Sequence, residues 1–133
     1  MKVIVDTSVW SLFLRRDGYR RSASLDHLRL MIQENQVQML GIIRQELLSG
    51  IRDEAQFRKL SGILESFPDL LAESADHTQA AVFFNLCRRN GIQGSPVDFL
   101  ICAQAHRNRM AIFTEDKDFL DYSAYIPIKL VKC

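Results

Sequence analysis

Short apolar runs alternate with helical stretches along this chain, and that alternation limits its possible folds more than any other feature. The first run, Val3-Ile4-Val5, is apolar on consecutive residues, as a strand buried on both faces must be. It breaks into Asp6-Thr7-Ser8 before a helix over Val9 to Arg16. Leu25, Leu28 and Ile32 recur at helical spacing between Arg20 and Glu34, and Gln36 to Leu40 is a second strand. Helices over Gly41 to Gly50 and Asp53 to Ser66 follow, the latter ending before Pro68. A weaker strand at Leu70 to Glu73 leads to a helix over His77 to Arg89 that stops at Asn90-Gly91. A helix over Pro96 to Arg109, a strand over Met110 to Thr114, a short helical turn and a last strand over Ile126 to Val131 complete the series. Strands separated by helices predict an α/β fold, with a parallel sheet covered on both faces.

At 133 residues and 47% hydrophobic content, the chain has the size of one domain, residues 1–133, able to form a core without staples. Its net charge of +1 excludes a strongly basic nucleic-acid binder, so any polyanion must be held locally. Cys87, Cys102 and Cys133 form no C-x-x-C pair, which fits a reducing cytoplasm. Asp6 interrupts the first apolar run too early for a signal peptide, and no segment approaches the ~20 apolar residues of a membrane span.

Four acidic positions stand out. Asp6 ends the first strand, where open α/β sheets place their chemistry. Glu46 projects between Ile42 and Ile43 on the apolar side of its helix; the ordinary reading is a boundary residue with its head in water. Asp98 follows Ser95-Pro96-Val97 at the third position of a helix, where capping alone explains an acid. The fourth position lies in Thr114-Glu115-Asp116-Lys117-Asp118, which are either turn residues or acids aimed at Asp6 from a neighbouring strand. Carboxylates ~4 Å apart repel by about 4 kcal/mol per pair at an effective dielectric near 20. Such a pocket needs a cation, and an all-oxygen donor set selects Mg²⁺ or Mn²⁺. Metal-activated attack of water on a phosphodiester is the chemistry it supports.

Four segments in order carry a resemblance: V-I-V-D-T-S at the start, R-Q-E-L-L-S-G around Glu46, P-V-D-F-L-I-C-A-Q-A around Asp98, and I-F-T-E-D-K-D-F near the end. Together they resemble the PIN-domain ribonucleases, and among them the VapC-type toxins of toxin-antitoxin pairs, over essentially the full length. The resemblance implies a three-layer α/β/α fold with a central parallel sheet of about five strands. It implies that Asp6, Glu46, Asp98 and Asp116 are the catalytic, metal-binding acids, supported by Thr7, Ser8 and Thr114. Asp118 is either the fourth ligand in place of Asp116 or a supporting group. The implied activity is Mg²⁺- or Mn²⁺-dependent endoribonuclease cleavage, by a protein that usually dimerises and is inhibited by a cognate VapB-like antitoxin. The alternative is a catalytically silent PIN-like module that binds RNA or protein.

Two independent features are compatible with it. Arg15, Arg16, Arg20 and Arg21 concentrate positive charge beyond the first helix and are RNA-binding candidates, although a solvated charge run is the ordinary reading. Trp10, Phe13 and Leu14 make the first helix apolar around most of its circumference, a candidate partner groove. Other chemistries fit less well. Cys102 and His106 have zinc spacing but no second pair, Ser8 with His27 or His77 lacks a nucleophile elbow, and Gly91 to Gly94 is no phosphate loop. A phospho-acceptor receiver would carry an acidic pair after the first strand, where only Asp6 stands.

Overall fold

A computed structural model of the chain describes residues 1–14 and 22–132. The elements are β1 (Val3–Val5), α1 (Thr7–Leu14), α2 (Ala23–Gln33), β2 (Val37–Leu40), α3 (Gly41–Leu48), α4 (Glu54–Leu64), β3 (Asp69–Leu70), α5 (Ser74–Arg89), α6 (Pro96–Arg107), β4 (Ala111–Phe113) and α7 (Asp118–Ser123). The strands form one sheet in the order β3-β2-β1-β4, and every pairing is parallel. Register places Val3 beside both Val37 and Ala111, and Val5 beside Phe113. The first strand is therefore central, and its carboxyl end opens between those of β2 and β4.

Adjacent strand residues point to opposite faces, so burial of neighbours shows that both faces are covered. Ile4 and Val5 are completely buried, as are Met39 and Leu40, while Ile112 and Phe113 are buried to within 1%. Each such side chain contributes about 1.5–3 kcal/mol of hydrophobic stabilisation relative to exposure. This is the continuous apolar pattern of a sheet between helical layers. Among the described residues, no helix is long and apolar enough to cross a membrane.

The expected fifth strand, Ile126 to Val131, shortens to a single parallel bridge between Ile112 and Leu130. Ile112 N–H donates to Lys129 and Val131 N–H to the Ile112 carbonyl, at 2.8 and 2.9 Å. Pro127 offers no N–H to extend the ladder. Two helix starts also differ from expectation by about a turn, while α1 starts two residues earlier than expected, at Thr7. The α2 helix begins at Ala23, because the Ser22 side chain accepts from Leu25 N–H and caps it. The α5 helix begins at Ser74, a turn before His77, because Asp76 accepts from the Glu73 N–H at 2.7 Å. Asp76 is buried and also binds Arg107 of α6 at 2.6 Å, which ties the two helices together.

Strands β2 and β4 are entered by the same turn. Asn35 and Arg109 adopt left-handed φ values of 56° and 55°, and the following amides reach back to Met31 and Ala105 at 2.9 Å. This hydrogen-bond pattern closes helix carboxyl ends and usually places glycine or asparagine at the left-handed residue.

Candidate metal centre

Asp6 continues the β1–β4 ladder past the last strand residue, with its N–H donating to the Phe113 carbonyl at 2.8 Å. The side chain is thereby carried to the carboxyl edge of the sheet and left 5% exposed. Asp6 also starts α1, since its carbonyl accepts from Val9 and Trp10 N–H groups. Two hydroxyls, Ser8 and Thr114, each lie 2.8 Å from Oδ2 and donate to it. Both protons are then committed, so the 3.3 Å approach of the two hydroxyl oxygens is proximity rather than a third bond.

The same hydroxyls accept from the loop after β4. Glu115 N–H donates to Ser8 Oγ and Asp116 N–H to Thr114 Oγ1, both at 2.9 Å. Asp118 N–H donates in turn to Asp116 Oδ1 at 2.9 Å. The Glu115 carboxylate accepts from the Ser24 hydroxyl on α2. Among the described residues, the loop of acids beside Asp6 is thus held by neutral donors.

Asp98 enters from the amino end of α6, where its N–H donates to the Ser95 side chain at 3.1 Å. Capping and an inward-facing carboxylate coexist here. One oxygen from each of Asp98, Asp116 and Asp118 lies within 4.8 Å of the others. Burial pushes the Asp98 carboxyl above its ordinary pKa, and the charges of Asp6 and Asp116 push in the same direction. Hydrogen bonds from Tyr122 and Ser95 oppose that shift.

Glu46 stands apart from this group. It is exposed on α3, and Thr7 Oγ1 donates to its Oε1 at 2.8 Å, linking it to the residue after Asp6. The structure therefore gathers Asp98, Asp116 and Asp118 most tightly, joins Asp6 through Thr114, and holds Glu46 through Thr7. The cluster includes both Asp116 and Asp118, the two acids between which the sequence left the choice open. Hard divalent cations fit this carboxylate set, since among the described residues it offers only carboxylate oxygen.

Tyr122 is a site neighbour that the sequence reading did not single out. Its hydroxyl donates to Asp98 Oδ2 at 2.7 Å. The signal available was Phe119 with Tyr122, spaced three apart after the acidic loop, although that spacing by itself indicates only a helix packed on the core.

Trp10 corrects the partner-groove reading. It is fully buried, with its ring 5.0 Å from that of Phe67 and 6.0 Å from that of Phe13, so it supports the core beneath α1. Phe13 and Leu14 do line an open cavity of about 500 Å³ facing α4 residues Lys59, Leu60 and Ile63. The candidates Arg15, Arg16, Arg20 and Arg21 lie outside the described residues.

The model of the PIN domain family matches residues 3–125. No curated protein matches the sequence. Among solved structures, VapBC2 from Rickettsia felis bound to a DNA fragment from its promoter is 15% identical, with a TM-score of 0.80 and coverage of 98% of both chains. FitAcB from Neisseria gonorrhoeae is 19% identical, with a TM-score of 0.78 over 98% of this chain and 96% of that one. VapBC-5 from Mycobacterium tuberculosis, a member of the VapBC family of toxin-antitoxin systems, is 15% identical with a TM-score of 0.70 over 99% and 98%. At these identities the likeness is one of fold. With a family model spanning all but the ends of the sequence and an acidic centre at the carboxyl edge of its parallel sheet, the chain belongs to the PIN domain family.

Proposed function

We propose that this chain is a Mg²⁺- or Mn²⁺-dependent endoribonuclease that acts as the toxin of a VapC-type toxin-antitoxin pair in the cytoplasm. The observation that carries the reading is the convergence of Asp98, Asp116 and Asp118 beside the buried Asp6. A bound divalent ion would activate water and offset charge developing on a phosphodiester. Asp98, Asp116 and Asp118 would hold it with Asp6, and Glu46 faces the same edge through Thr7. Ser8 and Thr114 fix the Asp6 carboxylate, so little reorganisation is needed when the cation arrives.

The toxin role is supported by the likeness in fold to VapBC-5, a member of the VapBC family of toxin-antitoxin systems, and to VapBC2 and FitAcB. The Phe13 and Leu14 cavity is the candidate seat for an apolar segment of an antitoxin. A second apolar hollow of about 450 Å³, with Ile42, Ala80, Phe84, Val97 and Leu100 in its walls, supports a homodimer. We assign RNA contacts to Arg15, Arg16, Arg20 and Arg21, and treat residues 1–133 as one functional domain.

Purified protein freed of antitoxin should cleave RNA with Mg²⁺ or Mn²⁺, stop in EDTA, and lose activity in Asp6→Asn and Asp98→Asn. Cleavage that survives EDTA and both substitutions sinks the metal mechanism. RNA binding without cleavage under any divalent ion would assign the chain to the silent module instead.

A further inference from the structure

Asp98 and Asp118 approach one another from separate helices, and one side chain joins those helices at the cluster. Asp118 is the first residue of α7, and Tyr122, one turn later in the same helix, donates to Asp98 Oδ2 on α6 at 2.7 Å. The tyrosine is completely buried. Its ring lies 4.7 Å from that of Phe99, the residue after Asp98, and 5.3 Å from that of Phe119. A phenol locked between two aromatic rings cannot follow a wandering carboxylate, so the carboxylate must conform to the phenol.

Gly94 explains how the phenol reaches that position. A Cβ at Gly94 would lie 2.5 Å from the Tyr122 hydroxyl oxygen, 2.8 Å from Tyr122 Cε1 and 2.6 Å from Phe99 Cε2. Real side chains do not tolerate such separations, and none of the three atoms belongs to a flexible side-chain end. Gly94 has no positive φ to account for its presence. Its missing side chain is the space that the Tyr122 hydroxyl occupies.

We infer that Tyr122 is the positioning residue of the acidic centre and that Gly94 is the position that admits it, an inference that rests on the metal-dependent reading above. Tyr122 holds Asp98 Oδ2 at a fixed point, which orients the carboxylate toward Asp116 and Asp118. Groups that orient ligands from behind typically contribute 10- to 100-fold in metal affinity. Removing the hydroxyl releases Asp98 to rotate, whereas adding a methyl at residue 94 drives the hydroxyl off it.

Mn²⁺ titration of the antitoxin-free protein, followed by electron paramagnetic resonance and calorimetry, tests this without recourse to activity. Tyr122→Phe is expected to bind Mn²⁺ about tenfold more weakly, with circular dichroism and unfolding midpoint near those of the wild type. Gly94→Ala is expected to show the same loss while keeping the tyrosine. In an Asp98→Asn background, Tyr122→Phe should cause no further weakening, because the hydroxyl acts through that carboxylate. Wild-type Mn²⁺ affinity in Tyr122→Phe overturns the inference and leaves the metal reading intact. Loss of the fold in Tyr122→Phe also overturns it, since the hydroxyl would then hold the core rather than the ligand. If the wild type fails to bind Mn²⁺, or Asp98→Asn binds equally well, the metal reading falls and this inference with it.

Discussion

Thr114 donates a hydrogen bond to Asp6 at 2.8 Å across 108 residues of chain, and the same hydroxyl accepts from the Asp116 N–H. One oxygen atom thus couples the end of β1 to the acidic loop after β4. Thr114→Val keeps the shape but deletes the donor and leaves the Asp116 amide without its acceptor. A loss of about 1–3 kcal/mol is expected in urea unfolding, with Thr114→Ser close to the wild type. Equal stability of the valine and serine variants would show that shape, not the hydroxyl, matters there.

Like charges packed at the sheet edge predict a stability that depends on divalent ions. Mg²⁺ or Mn²⁺ at a hundredfold excess over Kd should add about 2.7 kcal/mol to wild-type stability. In EDTA the order reverses: Asp116→Asn should unfold later than the wild type, because one repulsive partner is gone. Thermal unfolding with and without metal checks both halves.

Arg107 and Asp76 form an ion pair at 2.6 Å in which the carboxylate is 1% exposed and the arginine side chain 34% exposed. Arg107→Ala leaves that carboxylate buried without its cation. A cost near the lower end of the usual 3–5 kcal/mol, about 3 kcal/mol, is expected, since water can reach the vacated arginine position. Denaturant midpoints of Arg107→Ala and the wild type measure it.

Burial pushes the thiols of Cys87 and Cys102 above their ordinary values, and Asp98 adds to the effect at Cys102. In the unfolded chain a thiol ionises near pH ~8.5. Below that pH both states are protonated and the folded state keeps its full stability. As pH rises beyond it, the unfolded state alone loses protons, so stability falls by up to ~1.4 kcal/mol per pH unit per thiol. Cys102→Ala should reduce the decline between pH 8 and 10; an unchanged slope refutes the assignment.

Arg109 holds a left-handed φ of 55° at the turn into β4. A side chain there costs roughly 1–2 kcal/mol, part of which glycine would lose again through its freer unfolded state. Arg109→Gly is expected to stabilise the protein by about 0.5–1 kcal/mol in urea unfolding.

Local pattern explains where the sequence was informative. Val3 to Val5 and Ala111 to Phe113 are apolar on consecutive residues, and Ser95-Pro96 announces a helix, so the strands, α6 and their order were legible. The start of α5 was not, because its local cap, Asp76 accepting from the Glu73 N–H, uses a carboxylate whose burial is sustained by Arg107, 31 residues away, donating to it. The grouping of Asp98 with Asp118 was likewise hidden. A carboxylate after a strand looks alike whether it faces water or another acid, and only the strand order distinguishes the two. Tyr122 and Gly94 lie furthest beyond sequence reading, since their relationship is one of missing volume.

The central place of β1 sets a schedule for synthesis. Strand β1 pairs with β2 after some 30 residues, but its other edge stays open until β4 emerges more than 100 residues later. Asp6 leaves the ribosome long before Asp118, so the acidic centre forms only after β4 and the loop that follows it have been made. A nascent chain stalled before residue 111 carries Asp6 and Glu46 but no assembled acidic centre.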